Sequence, residues 1–219
     1  MVKIHDTILN MLATSHLAHA YSSQQRFVFP DISCKSGQTL LILGSSGVGK
    51  TTLLHILAGI LKPKEGNVNI DNTNLYNLST RALDQYRGQH IGLIFQKPHF
   101  VQSVSARENL LLAQNMANKS PNLNKISQLL TALNIDHKGE AKTHRMSQGE
   151  QQRLSIARAM VNDPKLILAD EPTSALDDKN CNEVVQLMRT QADAANAALV
   201  IVTHDQRLKD LFPDHIELS

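Results

Sequence analysis

Four short apolar runs set the rhythm of this chain. They are Thr39-Leu40-Leu41-Ile42-Leu43, Ile91-Gly92-Leu93-Ile94-Phe95, Lys165-Leu166-Ile167-Leu168-Ala169-Asp170 and Ala198-Leu199-Val200-Ile201-Val202-Thr203. Each is continuous rather than alternating, which predicts strands covered on both faces, as in a parallel sheet. Helical spacing falls between them. Leu53, Leu54, Ile56 and Leu57 follow the first run, a short helix is predicted over Thr80 to Arg87, and Ile126, Leu129, Leu130 and Leu133 form a stripe within Pro121 to Leu133. Asn180 to Ala192 reads as an amphipathic helix with Asn180 and Glu183 as its capping pair. Ser105 with Glu108 and Ser147 with Glu150 are S-x-x-E capping boxes ahead of two further helices. A shorter strand is predicted over Asn67-Val68-Asn69-Ile70.

Between Lys97 and Val161 strand signals vanish and helices dominate. The expected fold is therefore α/β, a mostly parallel core formed by 1–96 and 162–219 with a helical subdomain, 97–161, inserted into it. The first 38 residues are the least patterned. Leu12 to Tyr21 is expected as an edge strand and Val28 to Ser33 as a second, antiparallel strand, joined by a polar turn from Ser22 to Arg26.

Composition narrows the function classes. The 219 residues suit a single α/β domain, and 42% hydrophobic with 19% charged residues is an ordinary globular balance. A net charge of +2 without charge blocks argues against a nucleic-acid surface. Cys34 and Cys181 match no metal-ligand spacing and read as reduced thiols of a cytosolic protein. Leu17-Ala18-His19-Ala20 faintly resembles a leader cleavage site, but His5, Asp6, Asn10, Thr14, Ser15 and His16 interrupt any apolar core before it, so no signal peptide is expected. No apolar run approaches membrane-spanning length, so a membrane role would need a partner.

The first run leads into Gly44-Ser45-Ser46-Gly47-Val48-Gly49-Lys50-Thr51. Strand, glycine-rich turn and helix is the context in which G-x-x-x-x-G-K-[ST] means a phosphate loop. Glycines let backbone N–H groups turn inward around phosphate oxygens, and the helix start adds its positive dipole end. Lys50 would reach the terminal phosphates and the Thr51 hydroxyl would bind Mg²⁺. The bland alternative, a glycine-rich turn with a solvated lysine, needs a chance match on the order of one in a hundred at average glycine usage.

Other polar residues stand at or just past strand ends: Gln96, Asp170 with Glu171, Asp177 and His204. In an open parallel sheet ligands bind at the carboxyl ends of the strands. Asp170 is placed to approach Mg²⁺, and Glu171 to orient and partly deprotonate an attacking water. Taken alone, Asp170-Glu171 is also an ordinary turn before Pro172, and His204 an ordinary strand-end histidine.

The stretch Met146-Ser147-Gln148-Gly149-Glu150-Gln151-Gln152-Arg153 resembles the signature of ABC-type ATPases, L-S-G-G-Q or L-S-G-G-E followed by Q-Q-R. Phosphate loop, Gln96, signature, Asp170-Glu171-Pro172-Thr173, Ser174-Ala175-Leu176-Asp177 and His204 then follow that family's order from about Tyr21 to about His215. The resemblance implies a RecA-like core and ATP with Mg²⁺ as ligands. It implies that Gly44 to Thr52 (Gly44, Ser45, Ser46, Gly47, Val48, Gly49, Lys50, Thr51, Thr52) cradle the nucleotide, with Tyr21 on the adenine. It makes Gln96 the Q-loop glutamine, Asp170 the Walker B aspartate, Glu171 the catalytic carboxylate and His204 the switch histidine. Thr51, Gln96 and Asp170 would hold the metal. Ser147, Gly149, Glu150 and Asp177 would meet nucleotide across a head-to-tail dimer of two copies. The signature departs from the family at Met146 and Gln148 but keeps Ser147 and Gly149.

Ile91 to Phe100, with Arg107-Glu108-Asn109, resembles the branch serving lipoprotein release, macrolide-type export and cell division. That implies an ATPase powering a separate integral membrane permease, held on the cytoplasmic face of the inner membrane through it. The alternatives are a regulatory ATPase of a cell-division or cell-envelope complex that moves no substrate, and a membrane-free ABC ATPase. Phe100 and Val101 are expected on an exposed loop, either as part of a partner groove or packed under the helical insert.

Overall fold

The computed structural model describes residues 10–22, 25–174, 176–212 and 215–219. Ala175 and the positions His5 and Asp6 used above lie outside the described residues. In chain order the elements are β1 (Asn10–Ser22), β2 (Gln25–Val28), β3 (Ser33–Lys35), β4 (Thr39–Gly44), α1 (Lys50–Leu57), β5 (Glu65–Ile70), β6 (Thr73–Asn74), α2 (Thr80–His90), β7 (Ile91–Ile94), α3 (Ala106–Met116), α4 (Leu123–Ala132), α5 (Gln148–Met160), β8 (Leu166–Asp170), α6 (Asp178–Ala194), β9 (Ala198–Thr203) and β10 (His215–Leu218).

Two sheets result. One is wholly parallel, ordered β10-β4-β9-β8-β7, and the other is antiparallel, ordered β2-β1-β5-β6 with β3 also on β1. The continuous apolar runs are the three inner strands of the parallel sheet, β4, β9 and β8, and its edge strand β7, and alternate residues leave for opposite faces. Leu40, Ile42, Leu166, Leu168, Ala198, Val200 and Val202 join a buried cluster with α1 and the antiparallel sheet, through Leu53, Leu57, Leu12 and Val68. Leu41, Leu43, Ile167, Ala169, Leu199 and Ile201 join a second cluster with α3 to α6, through Leu110, Leu130, Leu154 and Val185. The parallel sheet is thus sealed between two apolar layers, which is why its strands carry no polar face.

Both capping boxes form. Ser105 accepts from the Glu108 amide and Ser147 from the Glu150 amide, while each glutamate accepts from its cap residue's N–H. The cap of α6 is Asp177, which accepts from the Asn180 amide, so Asn180 lies inside the helix instead of capping it. The carboxylate one turn earlier satisfies the helix's amide donors first.

The N-terminal expectation needs correcting. The Leu12 to Tyr21 strand exists, but it is an inner strand that pairs with β2, β3 and β5. The stretch expected as one strand from Val28 to Ser33 is split, because Phe29-Pro30-Asp31-Ile32 leaves the ladder. Proline has no N–H to give it. Gln25 and Arg26, expected in a turn, are in β2.

β7 lies tight against α5. A Cβ built on Gly92 would stand 2.5 Å from the Ala159 carbonyl oxygen. Gly92→Ala is expected to cost about 1–3 kcal/mol by overpacking. Urea unfolding of the purified chain reads this, and an unchanged midpoint would show that α5 moves aside freely.

Candidate functional site

Register brings four strand ends level. Leu43 pairs with Thr203, Asp170 with Val202, and Ile94 with Ala169, so Gly44, Glu171, His204 and the Phe95-Gln96 segment emerge at one edge. A cavity of about 470 Å³ opens there, lined by Ser46, Gly47, Gly49, Lys50, Thr51 and Thr52 on one side and by Tyr21, Gln25, Phe27, Gln96, Glu171 and His204 around the rest.

The loop 45–49 owes its shape to its glycines. Gly47 and Gly49 sit at φ 87° and 99°, where other residues are strained. Gly49 is the cap position of α1, so the helix's free N–H groups open into the cavity. The Phe27 ring lies under Gly49, 2.7 Å from where a Cβ would stand. Val48 turns the other way and packs with the core cluster. Lys50 is 7% exposed, and its Nζ donates to the carbonyls of Gly44 and Ser45 at 2.8 and 2.9 Å. The same Nζ lies 3.5 Å from Glu171 Oε1.

Glu171 is buried and left-handed, φ 46°. Its N–H donates to the Val202 carbonyl, and its carboxylate accepts from the Thr203 hydroxyl at 2.8 Å and from the His204 N–H. His204 Nδ1 lies 2.8 Å from Oε1. The Thr51 hydroxyl donates to Asp170 Oδ2 at 3.1 Å. Burial pushes the Asp170 carboxyl above the usual carboxylate range, and the neighbouring Glu171 adds to this; the Thr51 hydroxyl, His55 and Lys50 act against it.

The ABC transporter family matches residues 30–174. This chain belongs to that family. It is 38% identical over 183 residues to the lipoprotein-releasing system ATP-binding protein LolD of Cytophaga hutchinsonii, covering 83% of this chain and 84% of that one. A LolD of Colwellia psychrerythraea is 34% identical over 190 residues, covering 86% and 74%. An ATP-binding cassette solved as a dimer in a post-hydrolysis state, bound to ADP and Pi, superposes with a TM-score of 0.85 at 29% identity, covering 95% of this chain and 94% of that one. The chain is accordingly the ATP-binding, ATP-hydrolysing subunit of a transporter. Among the described residues no helix is long and apolar enough to cross a membrane.

The cavity does not gather every residue singled out from the sequence. Gly44 and Ser45 contribute carbonyls to Lys50 rather than lining it. Gln96 lines it, but its amide nitrogen is 3.4 Å from the Ser174 hydroxyl. Tyr21 lines it too, with its hydroxyl 3.2 Å from the Thr52 hydroxyl and its ring edge-on to His19 and Phe27. Ser147, Gly149, Glu150 and Asp177 lie outside this cavity. Ser147 starts α5, open space surrounds Gly149 where a side chain would be, and Asp177 starts α6. Glu150 is within 3.5 Å of His137 and 3.3 Å of Lys138. Its carboxyl is held below the usual range, first by the Ser147 N–H.

Sequence reasoning missed Phe27, which faces the loop only because the β1–β2 hairpin sets it opposite His19. It missed Gln152, whose buried amide donates to the Pro172 carbonyl and ties the signature helix to the Glu171 turn. The helical period of α5, with Gln152 two positions ahead of buried Leu154, gave no such signal. It also treated Phe100 and Val101 alike. Phe100 packs on the core under the Arg158 guanidinium, 4.9 Å from its ring centroid, whereas Val101 is exposed.

Proposed function

We propose that this cassette powers lipoprotein release by a separate membrane permease, working on the cytoplasmic face of the inner membrane as an ATP-bridged pair of copies. The observation that carries this is the match of more than four-fifths of the chain to ATP-binding proteins of lipoprotein-releasing systems. A regulatory ATPase without cargo and a membrane-free ATPase are the alternatives. Reconstitution with a lipoprotein-release permease decides among them. ATP-dependent transfer of a membrane-anchored lipoprotein to a soluble acceptor is the expected result. ATP turnover with the permease but no transfer would leave the regulatory reading standing.

In this reading Lys50 and the N–H groups of the loop bind the β- and γ-phosphates. Tyr21, with Phe27 beside it, offers an aromatic face to the base. Glu171 orients the attacking water and takes its proton, and His204 contacts the γ-phosphate while its Nδ1 stays on Glu171. Ser147, Gly149, Glu150 and Asp177 act on the nucleotide of the second copy, for which the start of α5 offers donors at an exposed, positive helix end. Residues 97–161 serve as the helical subdomain that presents them.

The residues present fit Mg²⁺. Thr51 and Asp170 bring a hydroxyl and a buried carboxylate together, hard oxygen ligands of the right kind. Among the described residues no cluster of three or more acidic, histidine or cysteine side chains could hold a metal alone. This suits an ion that shares its ligands with phosphates and water. Bound there, it would neutralise phosphate charge; Gln96 is its third candidate ligand.

For the permease we propose the groove of about 440 Å³ between α2, β7, α3 and α5, lined by Leu93, Phe95 and the exposed Met116. Val101, also exposed, would contact the same partner. Met116→Glu with Val101→Asp is expected to leave folding and ATP binding intact while reducing co-sedimentation with permease-containing vesicles at least about tenfold, since burying an unpaired charge costs several kcal/mol. Undiminished co-sedimentation would move the docking site elsewhere. Phe100→Asp is instead expected to destabilise the fold.

A further inference from the structure

The carboxylate of Glu171 is asymmetric in its surroundings. Oε1 faces the cavity, near His204 Nδ1 and Lys50 Nζ. Oε2 faces inward, to the hydroxyl of Thr203 at 2.8 Å. Thr203 is the last residue of β9 and is 0% exposed.

Its hydroxyl has one proton to give. The Asp205 N–H donates to that same oxygen at 3.0 Å. A carboxylate only accepts, so the single hydroxyl proton is committed to Oε2. Asp205 itself is locked. It accepts from the Thr173 hydroxyl at 2.9 Å and from the Arg207 guanidinium at 2.7 Å. The donor that aims Glu171 is therefore fixed from behind by a backbone amide with little freedom to move.

We propose that Thr203 is a positioning residue for ATP hydrolysis: its hydroxyl holds Oε2 so that Oε1 stays turned to the nucleotide. This rests on the reading of Glu171 as the carboxylate that activates water. Glu171 needs such a hold. It sits in the left-handed region, where a non-glycine residue is strained and depends on its surroundings to stay put. Its side chain can swing about three torsions, and without Thr203 the inner oxygen keeps only the longer His204 N–H contact, at 3.3 Å. A displacement near 1 Å at a reacting group is worth on the order of 100-fold in rate.

The test uses the whole chain and Thr203→Val, which keeps shape and strand preference but removes the hydroxyl. Thr203→Ala replaces it should valine fold poorly, as judged by thermal melting and ADP binding. The expected result is a fall in kcat of roughly 10- to 100-fold with KM for ATP within about twofold. Thr203→Ser should restore most of the rate, since it returns the donor. In single turnover, Thr203→Val added to Glu171→Gln should cause no further loss, because the two act as one unit. A purely structural threonine would alter melting without separating kcat from KM. Parental turnover in Thr203→Val, or a serine variant as slow as valine, overturns the proposal while leaving Glu171 in its role. A fresh loss on the Glu171→Gln background likewise overturns it. Glu171→Gln turning over at the parental rate overturns the reading of Glu171, and this proposal falls with it.

Discussion

Lys50→Ala is expected to weaken ATP binding by at least about 100-fold. The lysine is not a solvated charge that happens to lie near phosphates. Its Nζ is buried, held by the Gly44 and Ser45 carbonyls and near Glu171 Oε1. Removing it leaves two loop carbonyls and a buried carboxylate facing a polyanion, with no cation among them. Breaking a buried charge pair costs about 3–5 kcal/mol, or roughly two to three and a half decades in affinity. Alanine is a good helix former, so α1 should persist, and Glu171 keeps its Thr203 and His204 donors. Titration with a fluorescent ATP analogue measures the loss, and thermal melting checks the fold. Parental affinity in a folded variant would mean that the loop amides alone hold the phosphates and that Lys50 is spectator to binding.

The parallel sheet was legible because burial on both faces leaves an unmistakable mark, an unbroken apolar run. Phosphate loop, Asp170, Glu171 and His204 were legible for a related reason: each polar residue terminates such a run, and the strand order makes those ends adjacent. β1 was not legible in the same way. It bulges between Ser15 and Ala18, with His16 at φ 52°, so Leu17, Ala18 and His19 are buried in succession and the two-residue period is lost. Three pairing partners also cannot be inferred from one strand's own composition.

What remained hidden are contacts between distant segments. Phe27 under Gly49, Gln152 on the Pro172 carbonyl and Thr203 on Glu171 join positions 20 or more residues apart. Nothing local distinguishes Thr203 from any strand-ending threonine, a residue type favoured there on propensity alone. The helix caps show the opposite case, since a capping box is a local device and both were readable. Even there, Asp177 won over Asn180 because each offers a side-chain acceptor and only geometry ranks them.

Glu171→Gln is expected to convert the chain from a monomer that consumes ATP to a dimer that holds it. Glutamine keeps the size of the side chain and can still accept from Thr203, but it is neutral and cannot take the water's proton. General-base assistance contributes about 10²–10⁴ in rate, so turnover should fall by that order. Lys50, Thr51 and Asp170 still offer their contacts to the nucleotide. Ser147 and Gly149 stand outside the cavity that Lys50 lines, at an exposed helix start. In the proposed dimer, a second copy related by two-fold symmetry would bring its own α5 start to the first copy's γ-phosphate, and the reverse, so that two ATP molecules would bridge the pair. Blocking hydrolysis keeps the bridge, and mass action accumulates the dimer with ATP and Mg²⁺ but not with ADP. Light scattering after size exclusion at high protein concentration reads this directly. Ser147→Arg added to Glu171→Gln should return the monomer, because a long cation replaces the small cap at the facing surface and removes the capping hydroxyl from the Glu150 N–H. A Glu171→Gln chain that binds ATP yet stays monomeric at high concentration would deny the isolated subunit its head-to-tail pairing, since the γ-phosphate would then have too few contacts from the second copy to hold the two together.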